Sequence, residues 1–391
     1  MEKTINRLTG LLAGAALLGL VTPAAHAADT LKVGLMLPAT GTYAKLGNAI
    51  TNGFKLYVDE NGGKIGGVAV EYAVVDDESD PAKATENANK LVKRDEVDVL
   101  VGTVHSGVAM AMAKVARGTK TLMIVPNAGA DELTGPLCAP NIFRTSFTNW
   151  QPSYAMGPVL LDKGVKKVVT LTWKYSAGLQ AIEGFKESFT AGGGEIVKEL
   201  TLPFPNTEFQ PYLTEIASLK PDAVFVFFAG GGAVKLAKDY AAAGLKDSIP
   251  LYGSGFLTDG TLDAMGGAGE GLQTTLHYAD GLDNAKDKAF RAGYQKAYGM
   301  APDVYAVQGY DAAQLLAAGL SAVSGKVDDR KGMIAAMEAA QIDSPRGTFS
   351  MSAAHNPVQD IYLREGKGSA NPVVSVAAKA LADPARGCRM K

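Results

Sequence analysis

The chain has 391 residues, is 47% hydrophobic and 20% charged, and carries a formal net charge of −2. This composition is globular and leaves no basic excess for nucleic acid or an anionic membrane surface. The length exceeds the size at which one hydrophobic core usually stops growing, so two domains are expected.

Lys3 and Arg7 open the chain, followed by an uncharged apolar run from Leu8 to Val21 and then Thr22-Pro-Ala-Ala-His-Ala-Ala28. Small residues at Ala25 and Ala27 fit signal-peptidase recognition, so residues 1–27 read as a signal peptide and the mature protein as periplasmic. The apolar run is shorter than the ~20 residues of a membrane span. Cys138 and Cys388 are the two cysteines. In an oxidising compartment an even count predicts one disulfide, here closing a very long loop.

Strands and helices then alternate. Leu31 to Leu37 reads as a buried strand, Ala44 to Asn61 as a helix ending at Gly62-Gly63, and Glu71 to Val75 as a strand. Asp80 is placed to cap a helix that Pro81 opens and that runs to Arg94. Val97–Val101 is a strand, Ser106–Arg117 a helix and Leu122–Val125 a strand. The rhythm restarts with strands at Lys167–Thr172, Ile196–Leu202, Ala223–Phe228 and Pro250–Gly253. Between them lie helices at Ser176–Ala191, Phe209–Leu219 and Val234–Ala243. A strand near 272–278, helices at Lys286–Tyr298, Val304–Val323 and Arg330–Ala340, and a strand at Asp360–Arg364 complete the pattern. The tail beyond Gly366 reads as extended. The fold class is α/β, with two doubly wound parallel-sheet lobes.

In open parallel sheets, ligands bind outside the carboxyl ends of the strands. Five loops lie there: Thr40–Tyr43, Thr103–Gly107, Pro126–Gly129, Trp173–Ser176 and Ala229–Gly232. Ser106 starts a helix, where a hydroxyl and free amides favour an anion. The glycines at 230–232 lack the Lys-Ser or Lys-Thr of a nucleotide loop and read as leaving space. There is no Gly-x-Ser-x-Gly elbow, no His-Glu-x-x-His and no Cys-x-x-Cys, so neither catalysis, nor a metal, nor a cofactor is expected.

At these loops the sequence resembles the type I periplasmic binding proteins of the branched-chain amino-acid binding family, the capture subunits of ABC importers. The motifs are Leu31-Lys-Val-Gly, Thr40-Gly-Thr-Tyr-Ala-x-x-Gly, Val75-Asp-Asp-Glu, Asp80-Pro-x-Lys-Ala, Ser106, Pro126-Asn-Ala, Glu132-Leu-Thr and Asp222-Ala-Val-Phe. Gly62-Gly-Lys-Ile-Gly-Gly, Lys220-Pro-Asp-Ala-Val-Phe-Val-Phe and Tyr310-Asp-Ala-Ala resemble the members that bind aromatic acids. The resemblance implies a hinged clamp with crossovers near Arg144–Phe147, Thr274–His277 and Phe349–Ser352. One lobe would comprise 28–145 and 276–349, the other 146–275 and 350–366, with 367–391 as a tail. A monomer that serves membrane permease subunits is expected.

The resemblance also implies a ligand carboxylate held at Ser106 and at Asn127, Ala128 and Gly129, with Tyr175 closing from the other lobe. Tyr43, His105, Trp150, Gly230 and Phe256 complete the expected site, and Tyr252 is a further aromatic candidate. Amino-acid binders carry an acid for the ligand ammonium where this chain has Gly255, and a tyrosine near Ala229 or Gly230. A small aromatic carboxylate of benzoate or hydroxycinnamate type is therefore the expected ligand, unless Asp259 reaches the site. The alternatives are a branched-chain amino-acid binder and a ligand-binding sensory module.

Overall fold

The structure is a computed structural model that describes residues 30–390 together with Met1. The signal-peptide reading falls outside these described residues.

The first sheet is built from β1 (Thr30–Leu37), α1 (Ala44–Glu60), β2 (Lys64–Ile65), β3 (Val68–Asp76), α2 (Pro81–Asn89), β4 (Val99–Val101), α3 (Ser106–Thr119), β5 (Leu122–Val125) and β6 (Ile142–Arg144). Its strand order is β2-β3-β1-β4-β5-β6, parallel except for the β2–β3 hairpin. β1 is buried almost throughout because helices cover both faces of the sheet. Asp80 caps α2 by accepting from the Ala82 amide at 2.9 Å, with Pro81 in the first turn. That helix passes into a single π turn at Lys90–Arg94.

The chain continues through α4 (Trp150–Asp162), β7 (Lys167–Trp173), α5 (Ser176–Ala191), β8 (Glu195–Leu202), α6 (Gln210–Leu219), β9 (Ala223–Phe227), α7 (Gly230–Ala242), β10 (Leu251–Ser254), α8 (Leu262–Met265) and β11 (Gln273–Leu276). Next come α9 (Ala285–Tyr298), α10 (Val304–Ala322), α11 (Arg330–Glu338), β12 (Gln341–Ile342), β13 (Phe349–Met351), β14 (Pro357–Glu365) and β15 (Val373–Leu381). The second sheet runs β12-β13-β14-β11-β10-β9-β7-β8, with β15 also on β14.

α10 returns to the first lobe and lies against α1. A Cβ at Gly53 would sit 1.9 Å from the Ala306 carbonyl oxygen, and one at Gly309 2.0 Å from that of Ile50. Only glycine permits this approach. Met333 and Met337 of α11 join Leu31, Val33 and Leu35 in the same core. The backbone passes between the lobes after Arg144, after Leu276 and near Phe349–Met351.

Three elements differ from the sequence expectation. α4 carries Pro152 and Pro158 and is buried nearly all round, so it shows no amphipathic stripe. The tail is not simply extended: β15 pairs antiparallel with β14 and widens the second sheet. α7 begins at Gly230 rather than Val234, so the glycine run is its first turn. Cys138 and Cys388 are bonded, with Cα atoms 5.6 Å apart.

Candidate ligand-binding site

Between the lobes lies a cavity walled by Tyr43, Leu46, Val104, Ser106, Asn127, Gly129, Phe147, Asn149, Tyr175, Ala177, Phe227, Ala229, Phe256 and Tyr305. Its volume is about 20 Å³. The space is narrow, far below the ~300 Å³ at which ligand sites begin, and the lobes stand closed on it.

Strand ends and helix starts place these groups. The loop after β1 delivers Tyr43, and Ser106 is the first residue of α3. Ala177 sits in the first turn of α5 and Ala229 is the N-cap of α7. Neither Tyr175 nor Ala229 caps its helix with a side chain. Tyr43, Asn149 and Tyr305 likewise stand at the starts of α1, α4 and α10, so six helix N-termini border one cavity, where helix dipoles favour negative charge. No Asp, Glu, Lys or Arg is in the wall.

The polar side chains form a network. The Tyr43 and Tyr175 hydroxyl oxygens are 2.8 Å apart. Asn127 Nδ2 donates to Gln308 Oε1 at 2.7 Å. Asn149 Nδ2 donates to Gln180 Oε1 at 2.8 Å and lies 3.4 Å from Ser106 Oγ. Gly129 has no room for a side chain, because a Cβ there would fall 2.5 Å from the Phe147 ring. Burial raises the pKa of both Tyr43 and Tyr175, so both phenols stay protonated.

Ala128, His105, Gly230 and Trp150 take other places. Ala128 is fully buried behind the wall, where its carbonyl accepts from Arg144. His105 caps α3, its Nδ1 accepting from the Gly107 amide at 3.0 Å, and it stacks on Tyr175 with centroids 4.8 Å apart. Burial lowers its pKa to about 4, so the imidazole is neutral. Gly230 has positive φ and meets the opposite lobe: a Cβ would be 2.7 Å from the Thr42 carbonyl oxygen. It provides close approach, not open space. Trp150 points away, donating from Nε1 to Glu187 and stacking on Tyr154 at 4.2 Å.

Tyr252 is half-buried against the Val168–Phe225 cluster, outside the wall. Asp259 does not reach the cavity; it pairs with buried Arg364 at 2.6 Å. A Cβ at Gly255 would lie 2.4 Å from Arg364 Nη2 and 2.5 Å from Leu276 Cβ. The position thus faces the core, and its neighbour Phe256 meets the cavity.

Sequence reasoning missed Phe147, Asn149, Phe227, Tyr305 and Phe204. Phe147 and Asn149 follow the first crossover, so that expected crossover was the available signal. Phe204 follows β8 and packs 5.0–5.6 Å from Tyr43, His105 and Tyr175, sealing the cluster from outside.

Residues 30–371 match the model of the periplasmic binding protein family. The chain belongs to that family. It is 34% identical to "Leu/Ile/Val-binding protein homolog 6" of Brucella melitensis, over 90% of this chain and 92% of the relative. The fold superposes on an ABC-transporter solute-binding protein from R. palustris, solved in complex with benzoate. That match has TM-score 0.90 and 58% identity, covering 92% of this chain and all of the other. A second solute-binding protein, from Rhodopseudomonas palustris BisB5 in complex with 3,4-dihydroxybenzoic acid, matches with TM-score 0.86 and 38% identity, over 91% and 99% of the two chains. The architecture is the type I periplasmic binding fold of two α/β lobes, and the family and these neighbours are solute-binding proteins.

Proposed function

We propose that this protein is the periplasmic capture component of an ABC importer and holds an aromatic carboxylate, of benzoate or hydroxycinnamate type, between its lobes. The observation that carries the reading is the composition of the wall. The helix starts around the wall and the Ser106 hydroxyl favour a carboxylate, while Phe147, Phe227, Phe256, Tyr43 and Tyr175 offer ring contacts worth ~0.5–1.5 kcal/mol each beyond area burial. The benzoate complex of the 58%-identical neighbour supports it.

The names of the curated relatives favour a second reading, a branched-chain amino acid. Such a ligand would bury an ammonium beside no carboxylate, which is costly. In this reading the lobes are 28–145 with 276–349 and 146–275 with 350–366, β15 of the tail extending the second lobe through Leu381, and the protein works as a monomer after removal of residues 1–27. Native mass spectrometry of protein purified with its own ligand tests the reading. A retained aromatic acid is expected, and a retained aliphatic amino acid overturns it.

A further inference from the structure

Tyr305, the second residue of α10, is fully buried in the cavity wall, yet its hydroxyl has no hydrogen-bond partner. Native proteins rarely leave a buried polar atom unpaired, because its desolvation goes uncompensated. The other polar side chains of the wall are engaged: Tyr43 with Tyr175, Asn127 with Gln308, and Asn149 with Gln180 and Ser106. Burial holds the Tyr305 phenol well above its ordinary pKa, so it remains a donor as well as an acceptor.

Its place along the wall matters. Gly129, where the carboxylate is expected, abuts the Phe147 ring. Phe147 lies 4.6 Å from Phe256, and Phe256 lies 6.3 Å from Tyr305. An aromatic surface thus runs from Gly129 through Phe147 and Phe256 to the unpaired phenol. A ring lying along it with its carboxylate at Ser106 points its far edge toward Tyr305.

We infer that Tyr305 is a specificity residue that hydrogen-bonds a hydroxyl on the ring of the ligand, remote from the carboxylate. This rests on the aromatic-acid reading of the site. A para-hydroxylated acid pairs the orphan hydroxyl; the unsubstituted acid strands it.

Calorimetric titration of the wild type and Tyr305→Phe with benzoate and with 4-hydroxybenzoate tests the assignment. The wild type should prefer 4-hydroxybenzoate, and the substitution should cut that preference by roughly three- to tenfold, the size of one neutral hydrogen bond. An unchanged preference overturns the assignment. If the variant does not fold, 4-methylbenzoate on the wild type decides, since it fills similar space without a hydrogen bond. It should bind more weakly than 4-hydroxybenzoate, and equal or tighter binding overturns the inference. A wild type that binds none of these acids overturns the reading of the site itself, and this inference with it.

Discussion

The hydroxyl oxygens of Tyr43 and Tyr175 stand 2.8 Å apart, one carried by each lobe, and close a hydrogen bond over the cavity. Trp173 and Phe204 flank the Tyr43 ring at 6.4 and 5.6 Å, so it is held in place for this bond. The bond exists only when the lobes meet, so its energy belongs to the closed state. Tyr175→Phe removes it and keeps the ring. Ligand dissociation should accelerate by roughly three- to tenfold with little change in association rate. Stopped-flow measurement of both rates checks this.

Ser106 combines a hydroxyl in the cavity with the first position of α3. Its helix keeps a cap when the hydroxyl is removed, because His105 accepts from Gly107. Ser106→Ala should therefore weaken an aromatic carboxylate by ~1.5–3 kcal/mol, the range for a hydrogen bond to a charged group, and leave the ligand-free melting temperature nearly unchanged. Calorimetry and thermal denaturation measure the two effects separately.

What the sequence made legible follows from how each residue is placed. Ser106, Asn127, Gly129, Tyr43 and Tyr175 lie just beyond strand ends, where alternating apolar runs announce the strand and topology announces the crevice. Tyr305 had no such marker, since α10 follows another helix instead of a strand. Trp150 was misplaced because it opens a helix buried on every side, so periodicity gave no face and its indole turned toward Glu187. β15 was hidden because its exposed Val373, Val374 and Val376 and its small residues carry no inward alternation. Gly255 suggested a missing acid, but its Cα faces Arg364; the absence of acids from the wall is a property of the assembled cavity.

The disulfide joins lobe to lobe. Cys138 precedes β6 of the first sheet, and Cys388 follows β15 of the second. Arg386 beside it reaches Glu187 of α5 at 2.6 Å, and Asp383 accepts from Thr134 at 2.6 Å. Mature, unreduced protein should show no free thiol on titration under denaturing conditions. Cys388→Ser should lower stability by ~2–5 kcal/mol, as for loss of a native disulfide that closes a long loop. Two reactive thiols in the wild type would contradict the pairing.

His105 gives the fold a pH signature. Burial depresses its pKa to about 4, below its unfolded value of 6.5. The unfolded chain therefore binds the proton first as pH falls. Stability from keeping His105 neutral is fully present above pH 6.5 and is lost between 6.5 and about 4. His105→Asn retains a capping side chain but no titration. The wild type should lose ~1–3 kcal/mol more than the variant across that window. Urea denaturation of both proteins at several pH values measures the difference, and parallel curves would contradict it.

Ligand class is decided by titrating one purified, ligand-stripped sample with benzoate and with leucine. A ligand that binds only the folded state raises stability by about 2.7 kcal/mol at a hundredfold excess over its Kd. Benzoate should bind in the calorimeter and raise the melting temperature by several degrees, while leucine, isoleucine and valine produce neither effect. Strong binding of leucine with none of benzoate would contradict an aromatic-acid ligand and place the protein among the amino-acid binders.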